Sequence, residues 1–371
     1  MEHVLITGGA GFIGRRLAAN LLACGYKVRI LDSLEPQVHG AGPRPPAGLD
    51  PEAVLQVGDV RDRDALDRAL AGIDVVVHLA ALSGVGQSMY EPARYASAND
   101  YGTAMLLEAL ARRPVRKLVV ASSMSVYGEG LYRDASGRLH EPGGRASHAL
   151  GKHEWEQLAG DGGALRPVAT PEWKRPDPAS VYGLGKYAQE RMALMIGRAY
   201  GMPTVALRFF IVYGPNQALS NPYTGVLAIF AARLLNGSAP QLYEDGLQQR
   251  DFVSVHDAAG ACRLAIERPD ADGTALNIGS GQPTTLRDVA ARLATAMGRP
   301  HLQPHITQTW RAGDARHCFA DIGRARDLLG FEPAVTLDRG LAEYSDWLQD
   351  QPAPDRLGEA AAELRIRGLT L

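Results

Sequence analysis

The chain has 371 residues, of which 46% are hydrophobic and 22% are charged, a balance typical of a globular protein. The formal net charge of −2 gives no electrostatic signature of a nucleic-acid partner. Cys24, Cys262 and Cys318 are far apart and form no CxxC pair, which argues against a disulfide framework or a zinc site. We find no signal peptide and no apolar stretch of about 18 residues, and we therefore expect a cytoplasmic protein with no membrane partner.

Apolar strands alternate with amphipathic helices along the first part of the chain, which favours an α/β fold with a doubly wound parallel sheet. The predicted strands are 4–6, 27–31, 54–57, 75–77, 118–120 and 205–210. The predicted helices are 12–22, 61–70, 103–110 and 181–200.

The remaining segments divide the chain further. Residues 129–178 are polar and interrupted by Gly and Pro, and they are too long for a plain loop, so we interpret them as an inserted subdomain within a Rossmann domain of residues 1–215. The insert contains one predicted helix, at 153–158. Residues 216–350 form a smaller substrate lobe, interleaved with the first domain, and residues 351–371 form a C-terminal extension. The helices predicted in these two parts are 226–235, 258–266, 286–297 and 357–364.

A glycine-rich segment lies where the first strand meets the first helix. Glycines permit a tight turn and a close approach of the backbone to a pyrophosphate, and the helix N-terminus supplies N–H donors. Asp32 ends the second strand, where its carboxylate can accept hydrogen bonds from the adenosine ribose and would repel a 2′-phosphate. These features predict a dinucleotide site that favours NAD, with NADP as the alternative. The cofactor-binding residues predicted in the turn are Gly8, Gly11, Phe12, Ile13 and Gly14.

Tyr182 and Lys186 are one helical turn apart, so both side chains can point to one site. Tyrosine is a poor base at neutral pH, but a nearby ammonium and a nicotinamide cation both favour its phenolate. Lowering its pKa by about three units takes roughly 4 kcal/mol of differential stabilisation. Tyr182 can then exchange a proton with a substrate oxygen while a hydride moves to or from the nicotinamide. The same pair on its own also occurs on solvated helix faces.

Serines follow the fifth predicted strand, at the carboxyl edge where open α/β sheets bind their ligands. A hydroxyl there can bind the substrate oxygen that becomes a ketone, and we assign this role to Ser123, with Ser125 as the alternative. The alternative function of these serines is to cap the end of the strand.

In order and spacing, these features resemble the extended short-chain dehydrogenases/reductases of the NAD-dependent nucleotide-sugar epimerase/dehydratase family, in particular the dTDP-rhamnose 4-epimerase-like group. The resemblance implies a Rossmann domain with a smaller C-terminal α/β lobe, and Ser123, Tyr182 and Lys186 as the catalytic triad. Tyr182 and Lys186 would also contact the cofactor. The resemblance adds to the cofactor-binding residues Asp59, Val60, Leu79, Ala80, Ala81, Asn99 and Phe209.

The resemblance also extends to the substrate lobe, where three segments resemble those that surround a substrate diphosphate. Arginine suits that role because its planar fork pairs two phosphate oxygens, although each arginine can equally form a surface ion pair. The residues predicted to bind substrate are Ser83, Ser125, Ile211, Asn221, Arg250, Arg311 and Asp314.

Three departures from the family pattern bear on the reaction. Dehydratases of the family carry Asp-Glu where this chain has Met124-Ser125, so we set dehydration aside. Ile211 replaces an asparagine that helps to hold the substrate diphosphate, which suggests an altered substrate or reaction. The insert lacks the cysteine pairs of some relatives, and we interpret its histidines as solvated residues and not metal ligands: His140, His148 and His153.

Three functions remain as hypotheses. The first is NAD-dependent 4-epimerisation of a nucleotide-diphospho-deoxysugar, in which Tyr182 takes the C4 hydroxyl proton, a transient 4-keto sugar turns, and hydride returns to its other face. The second is an NAD(P)H-dependent reductase of a keto-sugar or keto-glycoside in specialised-metabolite (antibiotic) biosynthesis, which Ile211 motivates. The third is a non-catalytic dinucleotide-sensing protein, which the retained Tyr–Lys pair disfavours.

The resemblance further implies a homodimer. The helices 94–110 and 181–200 would pair across a two-fold axis into a four-helix bundle.

Overall fold

The computed structural model describes residues 1–40, 48–219, 225–311, 313–351 and 357–370. Its strands are β1 (His3–Thr7), β2 (Lys27–Asp32), β3 (Val54–Val57), β4 (Val75–His78), β5 (Lys117–Ser123), β6 (Leu131–Arg133), β7 (Leu139–His140), β8 (Arg166–Val168), β9 (Thr204–Phe209), β10 (Ile211–Tyr213), β11 (Gln241–Leu242), β12 (Gln249–Ser254), β13 (Ala275–Ile278), β14 (Pro283–Thr285), β15 (His305–Ile306) and β16 (His317–Cys318).

Helices cover the sheet and build most of the second lobe. They are α1 (Phe12–Ala23), α2 (Pro36–His39), α3 (Arg63–Leu70), α4 (Val85–Ser88), α5 (Pro92–Tyr95), α6 (Gly102–Arg112), α7 (Ser147–Leu150), α8 (Val181–Ala199), α9 (Val226–Leu235), α10 (Val255–Glu267), α11 (Leu286–Ala296), α12 (Gly323–Leu329), α13 (Leu337–Leu348) and α14 (Leu357–Ile366). A π-helical stretch, Ala96–Tyr101, joins α5 to α6. Each helix of the described ranges is too short or too polar to cross a membrane.

Seven parallel strands form the central sheet in the order β13-β9-β5-β4-β1-β2-β3. Successive strand residues point to opposite faces, so Val4 and Ile6 join one apolar cluster while Leu5 joins the other. All residues of β4 and β5 are buried, because helices pack on both faces of the sheet. The predicted Rossmann-type α/β fold is confirmed.

The segment 129–178 forms a small antiparallel sheet in the order β7-β6-β8, together with the short helix α7. The predicted helix at 153–158 is wrong. His153 has a φ of 62°, a left-handed conformation that an α-helix does not accept. Trp155 instead packs with Leu150 and Trp310, which connects the insert to the C-terminal part of the chain.

The second lobe has its own apolar cluster, in which α9, α11 and α13 pack around Phe252 of β12. Strand β12 pairs with β10 and β16 in parallel and with β14 antiparallel. Strand β13 returns to the central sheet beside β9, so the two parts of the chain are interleaved. Helix α14 lies in the C-terminal extension, where a helix was predicted.

Candidate active site

A cavity of about 740 Å³ lies at the carboxyl ends of the sheet strands, between the sheet and the second lobe. Most of the residues predicted from sequence line it. They are Gly8, Gly11, Phe12, Ile13, Gly14, Asp32, Asp59, Val60, Leu79, Ala80, Ala81, Ser83, Ser123, Ser125, Tyr182, Lys186, Phe209, Ile211, Arg250, Arg311 and Asp314. Asn221 lies outside the described residues, and Asn99 lies behind the cavity wall.

The glycine-rich turn leaves no room for side chains at its two ends. A Cβ on Gly8 would lie 2.7 Å from the backbone nitrogen of Ala80, and the φ of Gly8 is +69°. A Cβ on Gly14 would lie 2.5 Å from the Cα of Gly9. Helix α1 begins just after Gly11 with no capping side chain and no acidic residue in its first turn. Its N-terminal N–H groups and positive dipole end therefore suit a phosphate ligand.

Asp32 is buried against this turn and also lines the cavity. Its carboxylate accepts hydrogen bonds from the backbone nitrogens of Ala10 (3.0 Å) and Leu34 (2.9 Å). The side chain of His39 lies 3.7 Å away. Two N–H donors leave acceptor sites on a carboxylate, so Asp32 both fixes the turn and can bind a ribose hydroxyl. The turn, the uncapped helix and Asp32 together fit an adenine dinucleotide.

Tyr182 lies at the start of α8 beside the end of β5, and the hydroxyls of Ser123 and Ser83 are near enough to its side chain to act on its pKa. Helix α8 is set in place by its N-cap Ser180, and the backbone nitrogen of Tyr182 donates to Ser88 Oγ at 3.0 Å. Burial raises the pKa of Tyr182, and the two serines offset this only in part. In the protein by itself this pKa is therefore raised, and the nicotinamide cation, the second charge expected to favour the phenolate, would act against the effect of burial.

Lys186 is buried one turn further along α8 and donates a hydrogen bond from Nζ to the carbonyl oxygen of Ala121 at 3.0 Å. Burial lowers the pKa of Lys186 to about 8, and the carboxylate of Asp100 acts in the opposite direction. Burial lowers the pKa of His78 to about 3, with a smaller contribution from the ammonium of Lys186. The imidazole of His78 is therefore neutral. Its two nitrogens are hydrogen-bonded to Thr7 and Thr103.

Asn99 was predicted to bind the cofactor, but its side chain does not line the cavity. Its amide accepts a hydrogen bond from the backbone nitrogen of Leu82 at 2.7 Å and donates to the carbonyl oxygen of the same residue at 3.0 Å. Asn99 therefore fixes the segment after β4 that carries Ala80, Ala81 and Ser83 into the cavity, and it acts on a ligand only through that segment.

A buried ion pair supports β5 and β9 from behind. Arg208 donates to both carboxylate oxygens of Glu190, at 2.9 and 2.7 Å, and Ser122 donates to the same carboxylate at 2.7 Å. Arg208 also donates to the hydroxyl of Tyr127 at 2.8 Å. This network fixes the strand end that carries Ser123.

The far end of the cavity carries the predicted arginines, which are already engaged within the protein. Arg250 donates to the carbonyl oxygens of Ala315 (2.5 Å) and Arg316 (3.0 Å). Arg311 pairs with Asp314 at 2.9 and 2.7 Å, and its guanidinium lies 4.6 Å from the ring centre of Tyr243. Both arginines line the cavity, and a guanidinium has five N–H donors, so each retains donors for a ligand.

Sequence reasoning missed many residues of this site, among them Asp100, Tyr243, Gln248 and Leu364. Asp100 follows Asn99 in the π-helical stretch, and no short motif signals its position near Lys186. Tyr243 and Gln248 line the far end of the cavity, and Leu364 of α14 reaches it from the C-terminal extension. Only the general prediction of a helix in the extension pointed towards Leu364.

Comparison with known proteins is consistent with this geometry. The profile of the NAD dependent epimerase/dehydratase family matches residues 4–279. A dTDP-L-rhamnose 4-epimerase of Burkholderia thailandensis is 36% identical over 354 residues, which cover 94% of this chain and 96% of that protein. A putative UDP-glucose 4-epimerase of Methanocaldococcus jannaschii is 29% identical, with 94% and 98% covered.

Solved structures show the same fold. The UDP-glucose 4-epimerase of Thermotoga maritima with UDP-glucose has a TM-score of 0.76 and 31% identity, and covers 94% of this chain and 98% of its own. The UDP-glucuronic acid 4-epimerase of Bacillus cereus, in complex with UDP-glucuronic acid and NAD, has a TM-score of 0.74 and 27% identity, with 94% and 99% covered. By the extent of these matches, this chain belongs to the NAD dependent epimerase/dehydratase family.

Proposed function

We propose that this protein is an NAD-dependent 4-epimerase of a nucleotide-diphospho-deoxysugar. One observation carries the proposal: Tyr182, Ser123 and the glycine-rich turn line the same cavity as Arg250 and Arg311. A proton-exchanging group and phosphate-binding residue types thus line the same cavity. The 36% identity to a dTDP-L-rhamnose 4-epimerase supports the deoxysugar.

The residues of the chain have distinct roles in this reaction. NAD, when bound, supplies a hydride acceptor and donor, and the turn Gly8 to Gly14 with Asp32 would hold it. Tyr182 takes the proton of the C4 hydroxyl and later returns it, while Ser123 holds the reacting oxygen. Lys186 would hold the ribose of the cofactor and place a positive charge near the tyrosine.

Apolar side chains near the reacting end suit a sugar that has lost a hydroxyl group. Ile211 and Phe210 line the cavity, and Leu364 joins them from the C-terminal extension. Such walls offer a deoxysugar few hydrogen bonds, so the nucleotide end would carry most of the binding while the ring turns between its two orientations.

A homodimer is part of the proposal. Apolar side chains are exposed on the helices predicted to pair: Leu184 and Met195 on α8 are 56% and 55% exposed, and Tyr101 beside α6 is 54% exposed. Such a stripe supports association with a second copy. A monomeric mass in light scattering would contradict it. The described cysteines are unpaired, which supports a reducing compartment such as the cytoplasm.

The test uses two measurements on the purified protein. Denaturation should release NAD, and native enzyme incubated with dTDP-L-rhamnose should yield its C4 epimer by NMR, with no net change at the nicotinamide absorbance band. The reductase alternative gives the opposite result: stoichiometric loss of NAD(P)H with a keto-sugar, and no interconversion of epimers. That outcome would overturn the proposal.

A further inference from the structure

The insert at residues 129–178 carries a buried arginine that contacts the far wall of the cavity. Arg145 donates to Glu244 Oε1 at 2.7 Å and to the carbonyl oxygen of Asp314 at 3.0 Å. The side chains of Arg145 and Glu244 are only 5% and 2% exposed. One guanidinium thus joins the insert to the segment after β11 and to the loop that follows Arg311.

Both segments that Arg145 holds contribute side chains to the cavity. Tyr243 precedes Glu244 and lines the cavity, where the guanidinium of Arg311 lies over its ring. Asp314 pairs with the same Arg311. On one side, Arg145 therefore contacts Glu244, the residue next to Tyr243 of the stacked Tyr243–Arg311 pair. On the other side, it contacts the backbone carbonyl of Asp314, whose carboxylate pairs with Arg311.

The backbone at Glu244 is strained, and charges hold it there. Its φ is 56°, in the left-handed region that residues other than glycine seldom adopt. Its second carboxylate oxygen accepts a hydrogen bond from Arg316 at 3.0 Å, and its backbone nitrogen donates to Thr309 at 2.7 Å. A glycine would adopt this conformation without strain, so the side chain of Glu244 is retained at a conformational cost that its two arginine partners offset.

The rest of the insert is fixed to the same part of the chain, so Arg145 has a rigid base. Glu129 accepts hydrogen bonds from the backbone nitrogens of Arg316 (2.9 Å) and His317 (2.8 Å). Trp155 of the insert packs against Trp310, the neighbour of Arg311.

We propose that Arg145 is a positioning residue for substrate binding: through Glu244 and the carbonyl of Asp314, the insert fixes the Tyr243–Arg311 pair in the geometry that receives the nucleotide diphosphate end of the substrate. The inference rests on the proposed function, since it assigns the nucleotide end of the substrate to this wall. It gives the insert a role in affinity and none in the chemical step, because the hydrogen bonds of the Arg145 side chain go to Trp155, Glu244 and Asp314 and to none of the predicted catalytic residues.

The test compares Arg145→Ala with two related variants and a control. Arg145→Ala should raise the KM for the nucleotide sugar about tenfold, equivalent to about 1.4 kcal/mol, with kcat and bound NAD unchanged. Glu244→Gly, which relieves the strained φ but removes the carboxylate, should reproduce this effect, and the double variant should be no worse than either single one. Arg145→Lys should restore part of the affinity. Arg166→Ala, at an exposed position of the insert, should leave KM unchanged.

Calorimetric titration of the holoenzyme with dTDP and with UDP separates this inference from the proposed function. Wild-type protein that binds neither nucleotide overturns both. Wild-type protein that binds, with a folded Arg145→Ala variant that binds equally tightly, overturns the role of Arg145 alone. If Arg145→Ala does not fold, Glu244→Gly decides the question by the same titration.

Discussion

The two walls of the cavity are built by different means. The sheet wall consists of the cavity residues contributed by β2, β5, α8 and the segments that follow β1 and β4, and it rests on the two apolar clusters that sandwich the central sheet. The lobe wall consists of residues 241–250, 311 and 313–315, together with Leu364 of α14. It is held by buried charges whose partners are distant in sequence, such as Arg145 and Glu244, which are 99 positions apart.

The difference has an energetic consequence. Apolar packing distributes the stability of the sheet wall over many contacts, each of modest value. A buried ion pair contributes little net stability but becomes costly when one partner is removed, because the other charge stays buried. Apart from the buried Arg208–Glu190 pair behind β5 and β9, we therefore expect single substitutions in the sheet wall to impair the reaction and leave the fold intact. Single substitutions of the buried charges in the lobe wall should impair the fold.

The largest effect is expected on the sheet wall, for Tyr182→Phe. Loss of the hydroxyl removes the group that exchanges the proton, so kcat should fall about 10²–10⁴-fold while the fold and the bound NAD persist. Steady-state kinetics with cofactor quantitation provide the measurement. Tyr200→Phe, at an exposed position at the end of the same helix, is the matched control and should behave as wild type. Near-normal turnover in Tyr182→Phe would remove this residue from the proton transfer.

On the lobe wall, Arg316→Met should cause the largest loss of stability. The side chain of Arg316 is fully buried and pairs with Glu156, Glu244 and Asp245. Its removal leaves Glu244 buried with Arg145 alone, and we expect a loss of about 3–5 kcal/mol. In denaturant, nucleotide binding should be lost before NAD is released, because the sheet wall keeps its own clusters.

The control for this variant is Arg326→Met, which breaks an exposed pair with Glu332 and should cost about 0–1 kcal/mol. Equal losses in the two variants, or simultaneous loss of nucleotide and NAD binding, would contradict the distinction between the walls.

A smaller effect is expected from a charge beside the sheet wall. The Asp100 carboxylate favours the ammonium of Lys186, whose pKa burial lowers to about 8. Activity that needs this ammonium should decline as the pH rises through about 8. Asp100→Asn removes the favourable charge and so lowers the pKa of Lys186 further, which should move the decline in kcat to lower pH. Asp67→Asn, at an exposed position of α3, should leave the profile unchanged, and a shift of Asp100→Asn to higher pH would refute the assignment.

The two walls also differ in how well their residues could be predicted from the sequence. Most of the cofactor-binding residues predicted for the sheet wall, and the predicted catalytic residue Ser123, lie within a few positions of a strand end, and the order of parallel strands brings such positions to one edge. The positions of Gly8, Asp32 and Ser123 at the cavity were predictable for this reason, whereas Tyr182 and Lys186 lie on α8 and were predicted from their spacing of one helical turn. Asn99 was placed in the right region but supports the wall from behind, since a motif does not show which way an amide points.

The lobe wall was less predictable because its contacts join distant segments. Neither the pairing of Arg145 with Glu244 nor the positive φ of Glu244 has a local signal in the sequence. The helix predicted at 153–158 failed for a related reason: a tertiary contact of Trp155 with Trp310 prevails over local helical preference. The burial that raises the pKa of Tyr182 in the protein by itself was not predictable, because spacing along a helix gives no measure of burial.

The smallest effect is expected where the C-terminal extension meets the cavity. Leu364 of α14 is 5% exposed and lines the cavity, and one of its methyl groups packs so close to Gly86 that a Cβ there would lie 3.1 Å from it. Arg367 lies over the ring of Tyr90, at 4.3 Å, and keeps the extension against the Rossmann domain.

Leu364→Ala should raise the KM for the sugar nucleotide about 3–10-fold, or about 0.7–1.4 kcal/mol, with kcat little changed. Ile366→Ala, 81% exposed on the same helix, is the control and should have no effect. An unchanged KM in Leu364→Ala would mean that α14 covers the cavity without touching the substrate, and the lobe wall would then consist of the charged segments alone.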